Sequence, residues 1–271
     1  MALPAIILKP IDTIFSPLGR SLLGSRPFAS DNLMTFEELN QFSGFVLYET
    51  ELPKLTRDPS KLILTDLRDR ALVYIDGEFI GALSRENYIH TLPISAGYGS
   101  KLSILVENQG RINFQIADDY KGIIGGVKIQ IFDDTIDTYQ VLDHWTITGY
   151  SFDDYVNVEE FSRLSTGEYD VSSDGNLYDG PVVFRGEFDI NQDIHDTYWD
   201  AEGWGKGFIF INGFNLGRYW PLVGPQISTY IPKDLLKKGK NIIEVVELQR
   251  VPFNRRMNFV DGPIFINDEK V

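Results

Sequence analysis

The stretch GKGFIFINGFNLG, residues 205–217, is an apolar run, a two-residue turn and a second apolar run. Its turn dipeptide, Asn212-Gly213, tolerates positive φ at both central positions, which a type I′ β-hairpin requires. The same arrangement occurs earlier in the chain in DRALVYIDGEFIG, residues 69–81, with Asp76-Gly77 at the turn. The two stretches therefore predict the same β-hairpin twice.

Further matches follow each hairpin in the same order and at nearly the same spacing. They are Leu92-Pro93 with Ile231-Pro232, Val106-Glu107 with Val246-Glu247, Arg111 with Arg250, and Phe114 with Phe253. An ordered series of this kind indicates a duplication and hence two domains. We predict an extended connector arm at 1–34, a first β domain at 35–135 and a second at 136–271, with the seam near Asp133–Val141.

Short Val-, Ile- and Phe-rich runs bounded by turn residues predict strands throughout the chain. Only two stretches look helical, Phe36–Gln41 and Lys233–Lys238. Thr35, just before the first stretch, and Glu38, within it, have the spacing of a capping box. A TIM barrel is excluded because it needs eight helices. The fold prediction is all-β, with two jelly-roll sandwiches after an irregular arm. The predicted strands are Gly44–Thr50, Ala71–Ile75, Leu102–Glu107, Gly126–Ile131, Trp145–Thr148, Val182–Ile190, Gly207–Ile211, Ile242–Glu247 and Pro263–Ile266.

The composition excludes several classes of function. The chain has 271 residues, of which 43% are hydrophobic, and its formal net charge is −14. A field of that sign repels nucleic acid and an anionic membrane surface, so we predict neither as a partner. No cysteine is present, which excludes disulfides, thiol nucleophiles and cysteine-based metal sites.

The segment 1–34 contains four prolines and little periodicity, so we expect it to run extended over a surface. Without that surface, the apolar side chains of Ile6, Ile7, Ile14 and Phe15 would be left exposed, as a patch that aggregates or binds a partner.

Catalytic patterns are absent from the sequence. There is no G-x-S-x-G elbow and no H-E-x-x-H, and the three histidines stand apart from one another. Glycoside hydrolysis needs two carboxyls about 5–10 Å apart across a cleft, whereas adjacent acidic doublets on a strand point to opposite faces. Hard oxygen ligands cluster at Asp153-Asp154 and at Asp174, Asn176 and Asp179, but neither spacing fits a known calcium loop, so we predict no metal.

Two acidic residues end apolar strands at equivalent places in the repeat. Glu107 and Glu247 each need a partner there, and Arg111 and Arg250 follow shortly after them. We predict two structural charged pairs, Glu107–Arg111 and Glu247–Arg250.

Aromatic residues crowd the second repeat at Trp199, Trp204, Tyr219 and Trp220. Aromatic rings stack on sugars, so Trp204, Tyr219 and Trp220 are candidates for a carbohydrate-binding patch. Such residues also fill the cores of β-sandwiches, and this is the favoured interpretation.

Several segments carry a family resemblance. Residues 204–220 fit the pattern W-x-K-G-x-x-x-x-N-G-x-x-L-G-R-Y-W, and Gly224-Pro225-Gln226 and Tyr230-Ile231-Pro232 follow. SGFVLYET (43–50), LSILVENQGRINF (102–114) and DDYKGIIGGV (118–127) match in the first half. In these segments the chain resembles the β domains of the β-galactosidases of glycoside hydrolase family 35, of the animal lysosomal type.

The resemblance implies a non-catalytic region. In that family an N-terminal TIM barrel carries the two catalytic glutamates, in motifs of the N-E-Y-G and S-E-x-x-x-G-W kinds, and this chain contains neither motif. The resemblance therefore implies no catalytic residue, no cofactor and no activity of the chain alone. It implies a catalytic barrel as partner, galactosides as ligands, and a lysosomal or secreted location. The alternatives are a free-standing carbohydrate-binding module and a short product that pairs with a separate barrel chain.

One residue has a more specific implied role. In the family, the G-R-x-N-(Y/F) segment can lend an aromatic side chain to the rim of the sugar pocket, and here it is Gly110 to Phe114. The resemblance thus makes Phe114 a candidate rim residue. The alternative is burial of Phe114 against the strand Leu102–Glu107.

Overall fold

The chain folds into two compact units of antiparallel sheet. The structure, a computed structural model, describes residues 3–114, 118–133, 136–153, 155–166 and 169–266. Residues 24–153 form one unit, which we call the inserted unit. The segment before residue 24 and the segment from residue 154 onwards form the other, which we call the split unit. The chain therefore passes between the units twice.

The secondary structure is dominated by strands, with two short α-helices in the described part of the chain. In chain order the elements are β1 (Ile6–Ile7), β2 (Lys9–Thr13), α1 (Pro17–Leu22), β3 (Phe28–Ser30), β4 (Phe45–Glu51), β5 (Ser60–Leu64), β6 (Leu67–Arg68), β7 (Arg70–Ile75), β8 (Glu78–Ser84), β9 (Thr91–Ile94), β10 (Lys101–Glu107), β11 (Gly122–Ile123), β12 (Val127–Asp133), β13 (Ile136–Val141), β14 (Trp145–Tyr150), α2 (Tyr155–Leu164), β15 (Val182–Ile190), β16 (Thr197–Asp200), β17 (Gly207–Ile211), β18 (Phe214–Tyr219), β19 (Ser228–Ile231), β20 (Gly239–Glu247) and β21 (Arg256–Val260).

The inserted unit is a sandwich. Its larger sheet has the order β3-β14-β4-β10-β7-β8 and its smaller sheet the order β13-β12-β5-β9, and β11 and β6 form a separate pair. Val46 and Ile104 of the larger sheet are fully buried in one cluster with Leu62 and Ile129 of the smaller sheet. The core therefore lies between the two sheets.

The split unit is built in the same way. A sheet of order β18-β17-β20-β15-β2 accompanies a sheet of order β1-β21-β16-β19. Phe184 and Val245 from the first are fully buried in one cluster with Trp199 and Met257 from the second. The all-β prediction is confirmed.

The internal repeat is visible in strand order and in register. The order β4-β10-β7-β8 corresponds to β15-β20-β17-β18. Each hairpin carries a bulge at the equivalent place, between Val73 and Tyr74 and between Ile209 and Phe210. At the two turns φ is +51° for Asp76 and +47° for Asn212, and the glycine after each is also positive, as a type I′ turn requires.

The described part of segment 1–34 does not form the predicted extended arm. β1 pairs with β21 and β2 with β15, so both strands belong to the split unit, whereas β3 pairs with β14 of the inserted unit. Ile14 is fully buried and Ile6 and Phe15 are partly buried, while Ile7 is 65% exposed. The apolar side chains are thus largely used in packing.

The structure also places the boundary between the units later than the predicted 135/136. β13 pairs with β12, and β14 pairs with β4, so residues 136–153 belong to the inserted unit. Residues 134 and 135 of the predicted seam lie outside the described residues.

The predicted helices and the last predicted strand differ from the structure. Residues 36–40 are turns, although the capping-box bonds are present: the Thr35 amide donates to Glu38 at 2.7 Å, and the Glu38 amide to Thr35 at 3.2 Å. Lys233–Leu235 is one 3-10 turn. Pro263–Ile266 is not a strand, and only Phe265 makes an isolated bridge, to Gln226.

Candidate functional site

The loop after β10, residues 108–114, ends in the candidate rim residue and is fixed from both sides. The Asn108 side chain donates to the carbonyl oxygen of Phe42 at 3.0 Å and accepts from the Gly110 amide at 2.9 Å. The Gln109 amide donates to Asp69 at 2.8 Å and the Ile112 amide to Asp119 at 3.1 Å. Two carboxylates therefore hold the loop through its backbone.

These carboxylates belong to an ion-pair cluster, the Lys121 cluster, made of Lys121, Asp69, Asp119 and Arg85. Lys121 is 1% exposed, and its Nζ lies 2.8 Å from Asp69 Oδ1 and 2.8 Å from Asp119 Oδ2. Arg85 contacts Asp119 at 2.7 Å and Asp69 at 3.2 Å. Because a buried ammonium needs compensating charge, the cluster fixes the loops and turns that carry it.

Contacts within the cluster stabilise the charged forms of Asp119 and Arg85. Burial alone would raise the pKa of Asp119, but hydrogen bonds from Lys121, from Arg85 and from the Ile112 amide hold that pKa well below its usual range. The side-chain hydrogen bond to Asp119 raises the pKa of Arg85. A carboxyl ionised this firmly cannot donate a proton near neutral pH, so the cluster is suited to positioning and not to acid catalysis.

The tip of the loop is open. Phe114 is 76% exposed. Ile112 is 48% exposed and lines a cavity of about 470 Å³ together with Arg85, Tyr88 and Gln109. Phe114 is therefore not buried against the strand Leu102–Glu107, and its ring is available for contact.

The predicted pair Glu107–Arg111 is not formed. Arg111 contacts the carboxylate of Glu37, and its NH1 donates to the carbonyl oxygen of Asp119 at 2.9 Å. Burial lowers the pKa of Arg70, and the charge of Glu107, which is 3% exposed, offsets that shift only in part. The arginine that follows the strand thus anchors the loop to a different carboxylate.

The predicted pair Glu247–Arg250 is also replaced by other contacts. Glu247 is fully buried and accepts the Tyr219 hydroxyl at 2.6 Å. Backbone amides supply the remaining donors at 2.9–3.3 Å, and Arg250 contributes its amide and not its guanidinium. The amide donors are Gly205, Lys206, Leu248, Gln249 and Arg250.

A shifted pKa marks Glu247 without making it a catalytic residue. Burial raises the pKa of Glu247 to about 7, and the hydrogen bonds from Tyr219 and the amides offset that rise only in part. A pKa near neutrality is typical of general acids, which must also reach a substrate. Glu247 is 0% exposed, so its role is structural.

Two of the three candidate aromatics in the second repeat are core residues. Trp204 is 1% exposed and meets Phe184 and Trp199 edge to face, while Tyr219 is 3% exposed and packs on Trp199 at 4.6 Å between ring centroids. Trp220 is half-buried, with Lys206 Nζ at 3.7 Å from its ring centroid. The prediction of a sugar-binding patch made of all three rings is therefore wrong.

The candidate calcium ligands are engaged within the protein. Asp174 accepts from Ser172 at 2.5 Å and from Tyr178 at 2.6 Å, and Asp153 accepts from Ser43 at 2.6 Å. Asp154 lies outside the described residues. In the described part of the chain, no three His, Cys, Asp or Glu side chains are grouped to hold a metal. The helices described are too short and polar to cross a membrane.

Family models match both units of the chain. The model for the first all-beta domain of beta-galactosidase matches residues 33–151, and the model for the beta-galactosidase galactose-binding domain matches residues 181–241. Together the two ranges cover more than half of the chain, in the order in which the sequence motifs predict them. The chain belongs to the β-galactosidase family.

Curated relatives agree with this assignment. The β-galactosidase of Homo sapiens is 34% identical over 96% of this chain and 39% of its own length. The Mus musculus enzyme is 34% identical over 96% of this chain and 41% of its own length. Beta-galactosidase 17 of Arabidopsis thaliana is 34% identical over 87% of this chain and 35% of its own length. The chain thus spans about two fifths of these relatives.

Similarity to solved structures adds nothing further. A lectin from Pleurotus ostreatus in complex with GalNAc aligns with 96% of this chain and 79% of its own, at 13% identity and a TM-score of 0.27. A score this low supports no inference. The family assignment predicted from the motifs is nonetheless confirmed by the family models.

Residue patterns did not indicate the Lys121 cluster. Asp119 belongs to an adjacent acidic doublet, Asp118-Asp119, yet it is 5% exposed. The signal in the sequence that could have indicated the cluster is the position of Asp119 and Lys121 within DDYKGIIGGV, one of the segments that carry the family resemblance.

Proposed function

We propose that the chain supplies the two β domains of a β-galactosidase, supports a separate catalytic domain, and does not hydrolyse galactosides by itself. The matched family models, one in each unit, are the observation that carries this proposal. The fully buried Glu247 and the ion-paired Asp119 support it, because neither acid can protonate a glycosidic oxygen in a cleft.

Loop 108–114 is proposed to lie at the rim of the sugar cleft of the assembled enzyme. Its backbone is fixed by Asp69 and Asp119, while Phe114 at its tip is exposed. A fixed backbone that presents one aromatic ring is suited to contact with a ligand, because little conformational entropy is lost on binding.

The first experiment measures hydrolysis of a chromogenic β-galactoside by the purified chain. We expect no turnover above that of a heat-denatured sample. Turnover by the folded chain would defeat the proposal, because it would require a catalytic carboxyl pair within these units.

The second experiment tests the rim with a hybrid in which this chain replaces the matched region of mouse β-galactosidase. Phe114→Ala should lower kcat/KM about tenfold, equivalent to about 1.4 kcal/mol. Phe253→Ala is the matched control, because Phe253 occupies the equivalent place in the repeat and is 86% exposed. Equal effects of the two substitutions would remove Phe114 from the rim.

A free-standing carbohydrate-binding module that uses Trp204 and Tyr219 is not favoured, because both side chains are buried.

A further inference from the structure

A second cavity of the inserted unit lies apart from loop 108–114. It has a volume of about 640 Å³ and is bounded by the end of β4, the approach to β10 and the connection between β13 and β14. It shares no lining residue with the cavity beside loop 108–114. Its volume falls within the range of roughly 300–1,000 Å³ that is common for small-molecule sites.

One wall of this cavity holds a fixed carboxylate. The Glu49 side chain is 6% exposed, and its Oε1 lies 2.7 Å from Lys101 Nζ and accepts the Ser103 hydroxyl at 3.1 Å. The adjacent Thr50 hydroxyl donates to the carbonyl oxygen of Asp143 at 2.9 Å and thereby ties β4 to the connection between β13 and β14. The acceptor and donor groups of the wall are therefore held in place before any ligand arrives.

The rim of the cavity presents two exposed rings. Tyr98 lines the cavity and is 83% exposed. The His144 side chain is 78% exposed, its backbone φ is +56°, and its Nδ1 lies 2.9 Å from Asp31 Oδ1.

The charges of the lining restrict the class of ligand. Glu49, Glu51 and Asp143 line the cavity with Lys101, whose ammonium is already paired with Glu49. An anion would meet uncompensated carboxylates and be repelled. A hydrocarbon would leave the carboxylates and the ammonium desolvated, at a large cost.

We propose that this cavity binds a neutral disaccharide, with one sugar ring over Tyr98 and hydroxyls directed to the Glu49–Lys101 pair. A polyhydroxyl ligand both donates and accepts, so it can satisfy the carboxylates and the ammonium together. The exposed tyrosine face offers the apolar surface that the C–H face of a sugar needs. This site goes beyond the proposed support function and does not depend on it.

Trp145 provides a local signal for the test. Its indole Nε1–H donates to the carbonyl oxygen of Leu142, a lining residue, at 3.3 Å. The other three tryptophans, Trp199, Trp204 and Trp220, belong to the split unit. In a ¹⁵N spectrum of the whole chain, with Trp145→Phe used only for assignment, one indole signal therefore reports on this cavity.

The titration uses lactose, cellobiose and maltose as probes. We expect at least one of them to shift the Trp145 indole signal saturably, with a Kd of about 1 mM or weaker, and to leave the other three indole signals unchanged. Tyr98→Ala should weaken binding about tenfold, and Tyr98→Phe should retain it. Tyr88→Ala is the matched control, because Tyr88 is 85% exposed in the same unit but lines the other cavity.

Three outcomes would overturn the proposal. They are the absence of a saturable shift with all three sugars, an equal loss in Tyr88→Ala and Tyr98→Ala, and saturation by the polyamine spermidine without saturation by any sugar. Because both tyrosines are exposed, circular dichroism of the two variants should match that of the parent chain and separate binding from folding.

Discussion

At the residue scale, the repeat predicted which acids would be buried but not what would stabilise them. Glu107 and Glu247 both end central strands and are both buried, as their apolar surroundings indicated. Nearby arginines suggested ion pairs, whereas Glu247 is held chiefly by backbone amides. A sequence pattern names side chains only, so a ring of amide donors made by the chain's own turn cannot be read from it.

Tyr219 should stabilise the split unit through its hydrogen bond to Glu247. Tyr219→Phe keeps the ring on Trp199 but removes the 2.6 Å bond, leaving the buried carboxyl with one donor fewer. We expect the free energy of unfolding to fall by about 1–3 kcal/mol, measured in urea by tryptophan fluorescence. Tyr98→Phe, at an exposed ring, is the control, and an equal loss there would contradict this role.

Lys121 should be among the most sensitive charged residues of the inserted unit. Lys121→Met leaves Asp69 and Asp119 close together with less compensating charge, so we expect a loss of about 3–5 kcal/mol. Lys240→Met removes an exposed pair with Glu187 and should cost less than about 1 kcal/mol. Calorimetry of both variants compares the two pairs, and similar losses would mean that the Lys121 cluster is not a stabilising unit.

At the scale of elements, strands were predictable and helices were not. Val182–Ile190 and Gly207–Ile211 coincide with β15 and β17, because apolar runs bounded by turn residues identify buried strands. α1 is short and contains a glycine, so it carries no helical period. α2 buries only Val158, Phe161 and Ser162 among its described side chains, which is too narrow an apolar face to stand out.

Substitutions of the turn residue Asn212 should separate the contribution of backbone conformation to hairpin stability from that of hydrogen bonding. Its φ is +47°, its Oδ1 accepts from the Ile242 amide at 2.9 Å, and its Nδ2 donates to Leu235 at 2.7 Å. Asn212→Gly loses the side-chain hydrogen bonds but adopts a positive φ without strain. Asn212→Ala loses the same hydrogen bonds and keeps the strain of a positive φ. The alanine variant should therefore be about 1 kcal/mol less stable than the glycine variant by thermal unfolding. The reverse order would contradict a cost of the positive φ at this position.

At the scale of the whole molecule, the unit boundaries were the least predictable feature. The pairing of β2 with β15 joins residues that lie on either side of the whole inserted unit, as in Thr13 with Val182. The local periodicity of the sequence does not predict such a pairing. The duplicated hairpins nevertheless predicted two sandwiches, because each hairpin is a local pattern.

Stability should be greatest in mild acid. Burial raises the pKa of Glu244 to about 6 and that of Glu247 to about 7, from an ordinary 4.5. The folded chain then binds these protons more tightly than the unfolded chain, so stability falls as pH rises from about 4.5 to 7. The Lys121 and Arg85 contacts lower the pKa of Asp119, and that contribution is lost as pH falls below about 4.

Thermal unfolding between pH 3 and pH 8 tests this profile. Glu244→Gln should flatten the decline of Tm above pH 5, because glutamine does not titrate. Oε2 of Glu244 is buried with no hydrogen-bond partner among the described residues, so its replacement breaks no hydrogen bond. The remaining oxygen can still accept from Ser162 and Arg185. A Tm that rises from pH 5 to pH 7 in the parent chain would contradict the assignment of these two carboxyls.

The insertion of one unit within the other has a consequence for biosynthesis. Residues 24–153 emerge from the ribosome as one continuous stretch and can fold at once, since their sheets need no strand made later. β1 and β2 are synthesised before that stretch, but their partners β21 and β15 are synthesised after it. These two strands therefore remain without their native partners while the inserted unit is translated.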